Sequence, residues 1–248
     1  MQRFFKILLK INFLLFLINP QLLYSQGLNK NLASADALYK RGNYTEAYQI
    51  YEKILLEEQH FTPAMLLKMA HIKKGLQQYS EALYLLNLYH SHFPEQSVQN
   101  EIMDIAEEQK LVDYKINDWE YIILVYRKYK LFFHGAMLLG IFSGVFWLYY
   151  RQHHQKDSLY QSILLNLLIA AYFYVYNYAL SYPKAIVRNE KVYLMEAPSA
   201  AAKIVSKTQK GNCMQIIEKN DIWYKVRWQE KDETWEGYIR ESNLYLIP

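Results

Sequence analysis

The sequence contains a single cysteine, Cys213, which excludes an internal disulfide framework and any zinc cluster built from cysteines. A lone thiol of this kind is expected to be buried and unreactive. The seven histidines form no HExxH or comparable spacing, so we predict no metal site. P-loop and GxSxG motifs are missing, as is a recognisable carboxylate pair, and we predict a non-enzymatic protein with no catalytic residues and no cofactor.

Charge of one sign is also scarce, because 28 basic and 24 acidic residues give a formal net charge of only +4. No block of Lys and Arg is present that would track phosphates, so nucleic acid is not an expected partner. Tyrosine, in contrast, is abundant, with 24 residues, many of them at the ends of apolar runs. This placement is typical of a membrane interface, although ordinary protein cores also use tyrosine.

Two long apolar runs, residues 131–150 and 159–180, contain no Asp, Glu, Lys or Arg. Runs of this length match the thickness of a bilayer. The link between them, residues 151–158, is so short that the two segments must be antiparallel. The pattern predicts a transmembrane hairpin with membrane lipid as a partner, preceded by a juxtamembrane segment at residues 119–130. A buried hairpin in a soluble protein is the alternative.

Small residues repeat every four positions in the first run and share one helix face: Ala136, Gly140 and Gly144. Such a face lets another backbone approach closely. It predicts packing on the second run near Ala170 and Ala171, or else a homodimer. Three polar residues of the two runs are candidates for hydrogen bonds across the hairpin: His134, Asn166 and Asn177.

Residues 1–25 begin with basic residues, continue as a short apolar stretch and break at Asn19 and Pro20. This order predicts a secretory signal peptide with cleavage after Ser25. An uncleaved anchor is the alternative, and both versions export the residues that follow. Because no cysteine follows the apolar stretch, a lipid-anchored lipoprotein is excluded.

Residues 29–94 contain a self-similar unit in which RGNYTEAYQIYEKIL, at 41–55, recurs as GLQQYSEALYLLNLY, at 75–89. Tyr44 matches Tyr79 and Ala47 matches Ala82, where we expect the two helices of each unit to cross closely. The same stripe continues at helical spacing through Tyr51, Ile54, Leu86 and Tyr89. Two glycines are expected in the turns between helices, and a proline is expected to end the second unit: Gly42, Gly75 and Pro94.

The offset of 35 residues is close to the 34 of a tetratricopeptide repeat, and residues 26–118 resemble that family over about two repeats. The chain departs from the family pattern at the large aromatic early in each first helix and at Gln59. After Pro94, an amphipathic stretch predicts a capping helix with an apolar face of Val98, Ile102, Ile105 and Val112. The resemblance implies a groove for partner peptides, lined by the first helix of each repeat: Asn29, Leu32, Asp36, Tyr39, Lys40, Leu67, His71 and Lys74.

Residues 184–248 differ in character, with five short β-rich runs separated by polar turns. In IWYKVRW, alternate residues predict a half-buried strand with one face formed by Ile222, Tyr224, Val226 and Trp228. The order of strands, turns and aromatics resembles a bacterial SH3-like barrel over residues 186–247. Four aromatics are candidates for a surface that binds a peptide or glycan, with core packing as the alternative for at least two: Trp223, Tyr224, Trp235 and Tyr238.

The expected fold is therefore a multidomain membrane protein with all-α tetratricopeptide-like repeats, two transmembrane helices and a C-terminal all-β SH3-like barrel. This order resembles the BatE-type proteins of bacterial aerotolerance operons. The resemblance implies an envelope protein that works with other Bat proteins. We expect a membrane-anchored scaffold or adaptor that binds protein partners; the alternative is a wall-sensing receptor whose SH3-like domain binds peptidoglycan.

The expected location is the inner membrane, crossed twice, with both soluble domains in the periplasm. The export signal favours this orientation. The flanking charges oppose it, since Lys and Arg are the residues that cytoplasmic flanks retain. Three basic residues precede the first run, two lie in the link and three follow the second run: Arg127, Lys128 and Lys130, then Arg151 and Lys156, then Lys184, Arg188 and Lys191.

Overall fold

The structure of the protein is a computed structural model that describes residues 25–57, 59–115, 117–153, 159–177, 183–230 and 233–247. The predicted signal peptide, apart from Ser25, lies outside the described residues, as does most of the predicted link at 151–158. The described part of the chain is a series of helices followed by an antiparallel sheet. The helices are α1 (Ser25–Lys40), α2 (Tyr44–Leu56), α3 (Pro63–Gly75), α4 (Tyr79–His92), α5 (Gln96–Glu108), α6 (Asp118–Lys128), α7 (Lys130–His153) and α8 (Leu159–Asn177).

The chain divides into two compact units, residues 1–72 and 73–248, and the division falls inside the predicted repeat domain. In the first unit, α1 and α2 form a helical hairpin whose turn contains Gly42 at φ +83°, a conformation that favours glycine. Ala47, Tyr51 and Ile54 are buried, which confirms the predicted stripe of this repeat. Further buried residues of this unit come from α1 and α3: Ala35, Met65, Leu66, Met69, Ala70 and Ile72.

The second unit begins at the end of α3 and contains α4 to α8 and the sheet. Ala82, Leu86 and Tyr89 of α4 are buried, as the repeat pattern predicts. The prediction that Gly75 lies in the turn is wrong: Gly75 is the last residue of α3, and Gln77 holds the left-handed position, at φ +57°. Gln77 precedes Tyr79 by the same two residues that separate Gly42 from Tyr44, so a glutamine occupies the turn position that glycine takes in the first repeat.

The predicted capping helix is present as α5, with Val98, Ile102 and Ile105 buried. Val112 does not belong to it, because the helix ends at Glu108. It lies in the segment after α5 and packs, half-buried, against the core of the sheet. The end of the helical region is therefore covered by contacts with the sheet as well as by the predicted helix.

The sheet has seven antiparallel strands in the order β3-β2-β6-β5-β4-β1-β7. The five predicted strands are present as β2 to β6, whereas β1 and β7 were not predicted. These two pair with each other, Ala185 opposite Leu246, and β1 also pairs with β4. The strands are β1 (Lys184–Val187), β2 (Val192–Met195), β3 (Ile204–Thr208), β4 (Cys213–Asn220), β5 (Trp223–Glu230), β6 (Glu233–Arg240) and β7 (Leu244–Ile247).

The longest pairing joins β5 to β6, from Trp223 opposite Arg240 to Glu230 opposite Glu233. Tyr224, Val226 and Trp228 are buried, as the alternation predicts. The fourth residue of the predicted face, Ile222, precedes the strand and is exposed.

Among the described residues, one helix is long and apolar enough to cross a membrane, the stretch Lys130–Arg151 of α7, and its apolar part is not buried. The second predicted span is a helix, α8, but its apolar stretch, Ile163–Tyr174, is shorter than a membrane span. The last residues of the predicted span, 178–180, lie outside the described part of the chain. The prediction of two spans is thus supported for one. The ring of His134 contacts that of Tyr172, and further along α7 Gly144 lies beside Leu165. Later residues of α7 thus meet earlier residues of α8, so the two helices run antiparallel.

Candidate functional site

In the first unit, α1 and α3 bring together three of the predicted groove residues. Asp36 and Tyr39 lie one turn apart on α1, so they share a face, and His71 lies opposite on α3. The hydroxyl of Tyr39 is 3.0 Å from His71 Nδ1. Asp36 accepts a hydrogen bond from Lys68 Nζ at 2.7 Å and another from the Tyr51 hydroxyl at 2.5 Å. Lys68 and Tyr51 were not among the predicted site residues.

These contacts set the charge state of the cluster. Burial alone would raise the pKa of Asp36, but hydrogen bonds from Lys68 and Tyr51 outweigh it and hold the pKa below its usual value. Burial, followed by the hydrogen bond to Asp36, raises the pKa of Tyr51. Asp36 is therefore a charged acceptor near neutral pH, and its ion pair with Lys68 links α1 to α3.

Three rings form an open cluster around these polar groups. Ring centroids are 5.3 Å apart for Tyr39 and Tyr44, and 6.1 Å apart for Tyr44 and His71, with edge-to-face geometry. The sequence places Tyr44 at a close helix crossing, and this expectation is wrong, because 44% of the residue is exposed. The residue buried at the crossing is the small Ala47, about one turn later, and the large ring of Tyr44 does not have to fit between the helices. We call Tyr39, Tyr44 and His71 the ring cluster.

The other predicted groove residues contribute less to this arrangement. Leu32 and Leu67 are half-buried, and Lys40 is exposed. The side chain of Asn29 lies outside what the structure describes. Lys74 belongs to the second unit, where its Nζ lies 2.9 Å from Glu101 Oε1 of α5.

In the sheet, the four predicted surface aromatics fall on two faces. Neighbouring residues of a strand point to opposite sides, which separates Trp223 from Tyr224. Tyr224 belongs to the buried core. Trp235 lies opposite Trp228 and stacks on it, with ring centroids 6.4 Å apart, so it shares the face of Tyr224. Tyr238 shares the face of Trp223, and a single platform of all four is not formed.

A groove of about 370 Å³ lies beside Trp223, whose ring is covered by the Arg240 guanidinium at 5.7 Å. Trp223 itself is only 9% exposed. The exposed Tyr193 and Ile204 lie on the wall of the groove, so apolar surface and a cation meet there. The arrangement suits a small polar ligand with an apolar part.

Helix α4 packs against β1 and β7, in what we call the helix–sheet interface. The Ser80 hydroxyl donates a hydrogen bond to the Val187 carbonyl at 2.8 Å, and both lie inside the interface. The rings of Tyr84 and Tyr245 stack with centroids 4.8 Å apart. The segment after α5 adds the Tyr114 hydroxyl, which donates to the Gly211 carbonyl at 2.5 Å.

Helix α6 also meets β1, through charged groups, and we include this contact in the helix–sheet interface. Lys184 Nζ is 2.6 Å from Glu120 Oε1, and the two side chains are only 12% and 14% exposed. Burial raises the pKa of Asp113 to about 6, with Lys184 opposing the shift. Burial, followed by repulsion from Lys184, lowers the pKa of His90 to about 4. At neutral pH the His90 imidazole is therefore neutral.

A polar cleft of about 580 Å³ opens where the start of α4 faces the loops of the sheet. Lys191, Lys207 and Lys210 lie on its walls, and Lys210 Nζ is 3.2 Å from Glu81 Oε1. Beyond this pair, glutamines dominate the helical side: Gln77, Gln78 and Gln109. The cleft is lined by hydrogen-bonding side chains and has no catalytic arrangement among its residues.

The single thiol is a buried group, as the sequence predicts. Burial raises the pKa of Cys213 to about 12, so the thiolate is scarce at physiological pH. Within the described residues, no three His, Cys, Asp or Glu side chains lie close enough to hold a metal ion.

The small residues of α7 differ in their surroundings. A Cβ on Gly144 would lie 2.9 Å from Leu165 Cδ1 of α8, so this glycine marks the close approach of the two helices. It meets Leu165 rather than the predicted Ala170 and Ala171. A Cβ on Gly140 would meet nothing within 4 Å, and Ala136 is exposed.

A scan of the chain against models of known protein families finds no match. A search of the curated proteins also finds no matching relative.

Proposed function

We propose that the chain is a membrane-anchored scaffold or adaptor of the cell envelope that binds protein partners. In this interpretation α1 to α5 form tetratricopeptide-like repeats and the sheet is an SH3-like domain. The observation that carries the proposal is the helix–sheet interface, which joins residues on either side of the candidate membrane helix into one body. We call α4, α6 and the sheet together the helix–sheet body. A body of this kind beside the membrane gives a membrane-anchored scaffold a folded surface to present to partners.

The interface also supports a second crossing of the membrane. α4 and α6 precede α7 in the chain, and β1 and β7 follow α8. If α7 alone crossed a bilayer, these elements would lie on opposite sides and the buried Lys184–Glu120 pair would not form. An even number of crossings keeps them together, and α8 is the segment available to return.

The expected partner surface is the ring cluster of the first unit. Tyr44, at the start of α2, and His71 of α3 are exposed, and Tyr39 of α1 is half-buried. Aromatic rings are strong contributors to protein interfaces, because they bury much area at a small entropic cost. An extended peptide segment of a partner is the ligand that this helical surface fits, and other Bat-type envelope proteins are the first candidates.

The test is crosslinking in native membranes with the full chain, followed by identification of the captured protein. Tyr44→Ser removes an exposed ring of the cluster, and Tyr193→Ser removes a similarly exposed ring from the sheet as the matched control. We expect one protein to be captured by the unmodified chain and the control but lost with Tyr44→Ser. Equal capture by all three, or loss only with Tyr193→Ser, would overturn the proposal for this surface.

The location is tested with a membrane-impermeant maleimide on spheroplasts. Because Cys213 is buried, a cysteine introduced at the exposed Lys110 or Asp221 is the reactive one. We expect both positions to be labelled from outside. Labelling of one position alone would refute the two-pass arrangement, and protection of both would place the body in the cytoplasm.

A second candidate function is the binding of a cell-wall fragment, which the groove beside Trp223 favours. Its aromatic wall and the Arg240 guanidinium suit a ligand with sugar or carboxylate groups. Sedimentation of the full chain in detergent with purified sacculi tests this candidate. Binding that is lost with Tyr193→Ser but kept with Tyr44→Ser would support a wall receptor, and no sedimentation would remove it.

A further inference from the structure

Helix α6 presents two different faces. One face packs inward, through Glu120 on β1, the buried Ile123, and Arg127, which donates a hydrogen bond to the Ser91 carbonyl at 2.9 Å. Ile123 and Arg127 follow Glu120 by three and seven residues, so the three side chains share one side of the helix. The inward face therefore fixes α6 to the helix–sheet body.

The outward face of α6 is apolar and exposed. It carries four large side chains that are 39–63% exposed, which we call the outer stripe: Tyr121, Ile122, Val125 and Tyr129. Trp119, at its edge, is 54% exposed. A contiguous apolar stripe of this kind on a soluble surface marks an interaction site, whereas single exposed apolar residues do not.

The stripe continues without a break into the candidate membrane helix. Tyr129 caps α6, α7 begins at Lys130, and Leu131 and Phe132 are 90% and 79% exposed. Lys128 and Lys130 lie at this junction, where long basic side chains can keep their ammonium groups in water while their stems cross apolar surface. Tyrosine and tryptophan prefer the headgroup level of a bilayer. Continuity with α7 thus identifies lipid as the occupant of the stripe.

We propose that α6 lies flat in the interface of the bilayer that α7 enters, with the outer stripe inserted at the boundary between headgroups and acyl chains. The inference rests on the proposed membrane anchoring by α7. Because the inward face of the same helix is fixed to the helix–sheet body, insertion sets how that body is oriented on the membrane. The ligand is the phospholipid interface itself rather than a bound headgroup.

Depth measurement tests the proposal on the full chain in nanodiscs of phosphatidylcholine and phosphatidylglycerol. Single cysteines carry an environment-sensitive fluorophore, which the buried Cys213 does not take up. Tyr121→Cys reports on the end of α6 remote from α7, about 13 Å from Lys130 at the rise of a helix. Leu139→Cys reports on α7, and Tyr193→Cys is the matched tyrosine control on the sheet.

We expect a nitroxide high on the lipid acyl chain to quench the label at residue 121, and iodide in water to quench it weakly. The label at 139 should be quenched by a deep nitroxide, and the label at 193 by iodide alone. If the label at 139 escapes every lipid quencher, membrane anchoring fails. If 139 is quenched by lipid but 121 responds only to iodide, α6 stands clear of the bilayer and the present inference fails. A label at 121 protected from both quenchers means that protein, such as a second copy, covers the stripe, which also overturns it.

Discussion

Replacing Lys184 by Met should destabilise the second unit by about 2–4 kcal/mol. The ammonium group lies 2.6 Å from Glu120 Oε1 with both side chains largely buried. At an effective dielectric constant near 20, this separation corresponds to roughly 6 kcal/mol of gross attraction, much of which offsets the desolvation of the two charges. Removing one partner leaves the other buried and unpaired, which typically costs about 3–5 kcal/mol, and the residual exposure of this pair lowers the expected loss.

A double-mutant cycle separates this coupling from simple loss of packing. The free energy of unfolding of the full chain in detergent is measured by urea titration for Lys184→Met, Glu120→Leu and the double variant. We expect the double variant to be more stable than the sum of the single losses predicts, because neither charge is left behind. The exposed pair Lys219–Glu241 supplies the control, and Lys219→Met should cost much less than Lys184→Met, because solvent screens an exposed ion pair. Strict additivity of the two single losses would refute the reasoning, since it would mean that the charges do not interact.

Three further outcomes are expected. The pKa of His90 is about 4 in the folded chain and about 6.5 in the unfolded chain, so the stability that the neutral imidazole allows is present above pH 6.5 and is lost as the pH falls to 4. Over this window the unfolding free energy of the unmodified chain should fall by about 2 kcal/mol more than that of His90→Gln. The opposing titration of Asp113 occurs in both chains and cancels in the difference. Parallel slopes for the two chains would contradict this. Gly42→Ala should destabilise the fold by about 1 kcal/mol, because φ is positive at this position. Gly75→Ala, in a helix with open space at the Cβ, should stabilise it by a similar amount. Thermal unfolding measures both changes, and stability changes of the same sign for the two variants would contradict the backbone conformations. Gly144→Val should lower the melting temperature in detergent while Gly140→Val does not, and equal shifts would rule out the close approach at the first glycine.

Local periodicity explains what could be predicted from the sequence. The buried stripes of α2 and α4 follow from apolar residues at helical spacing, and Ala47 and Ala82 are fully buried in both repeats. The turn of the second repeat could not be assigned by the presence of glycine alone, because Gln77 tolerates the left-handed conformation there. Counting back from Tyr79 by the spacing seen before Tyr44 would have identified it.

The surface aromatics show a signal that the sequence does contain. The alternation that places Tyr224 on the buried face also places Trp223 on the other one, so grouping them as one platform conflicts with the period of a strand. The short strands β1 and β7 give no such signal, since four residues are too few to establish alternation. Nor does any local pattern pair Lys184 with Glu120, which are separated in the chain by the whole hairpin. That contact depends on the packing of distant segments.

The same contact changes the argument from flanking charges. Counting Lys and Arg near the apolar runs favours cytoplasmic ends, but two of the six flanking residues have a structural role in the helix–sheet body. Arg127 binds the Ser91 carbonyl and Lys184 binds Glu120, so both are needed for packing whichever side the body occupies. Packing therefore explains the presence of these two residues, which leaves four of the six flanking charges as an argument against the proposed periplasmic side. In the proposed arrangement, parity and orientation depend on different features: the helix–sheet interface is the argument for an even number of crossings, and the predicted export signal is the argument for the periplasmic side.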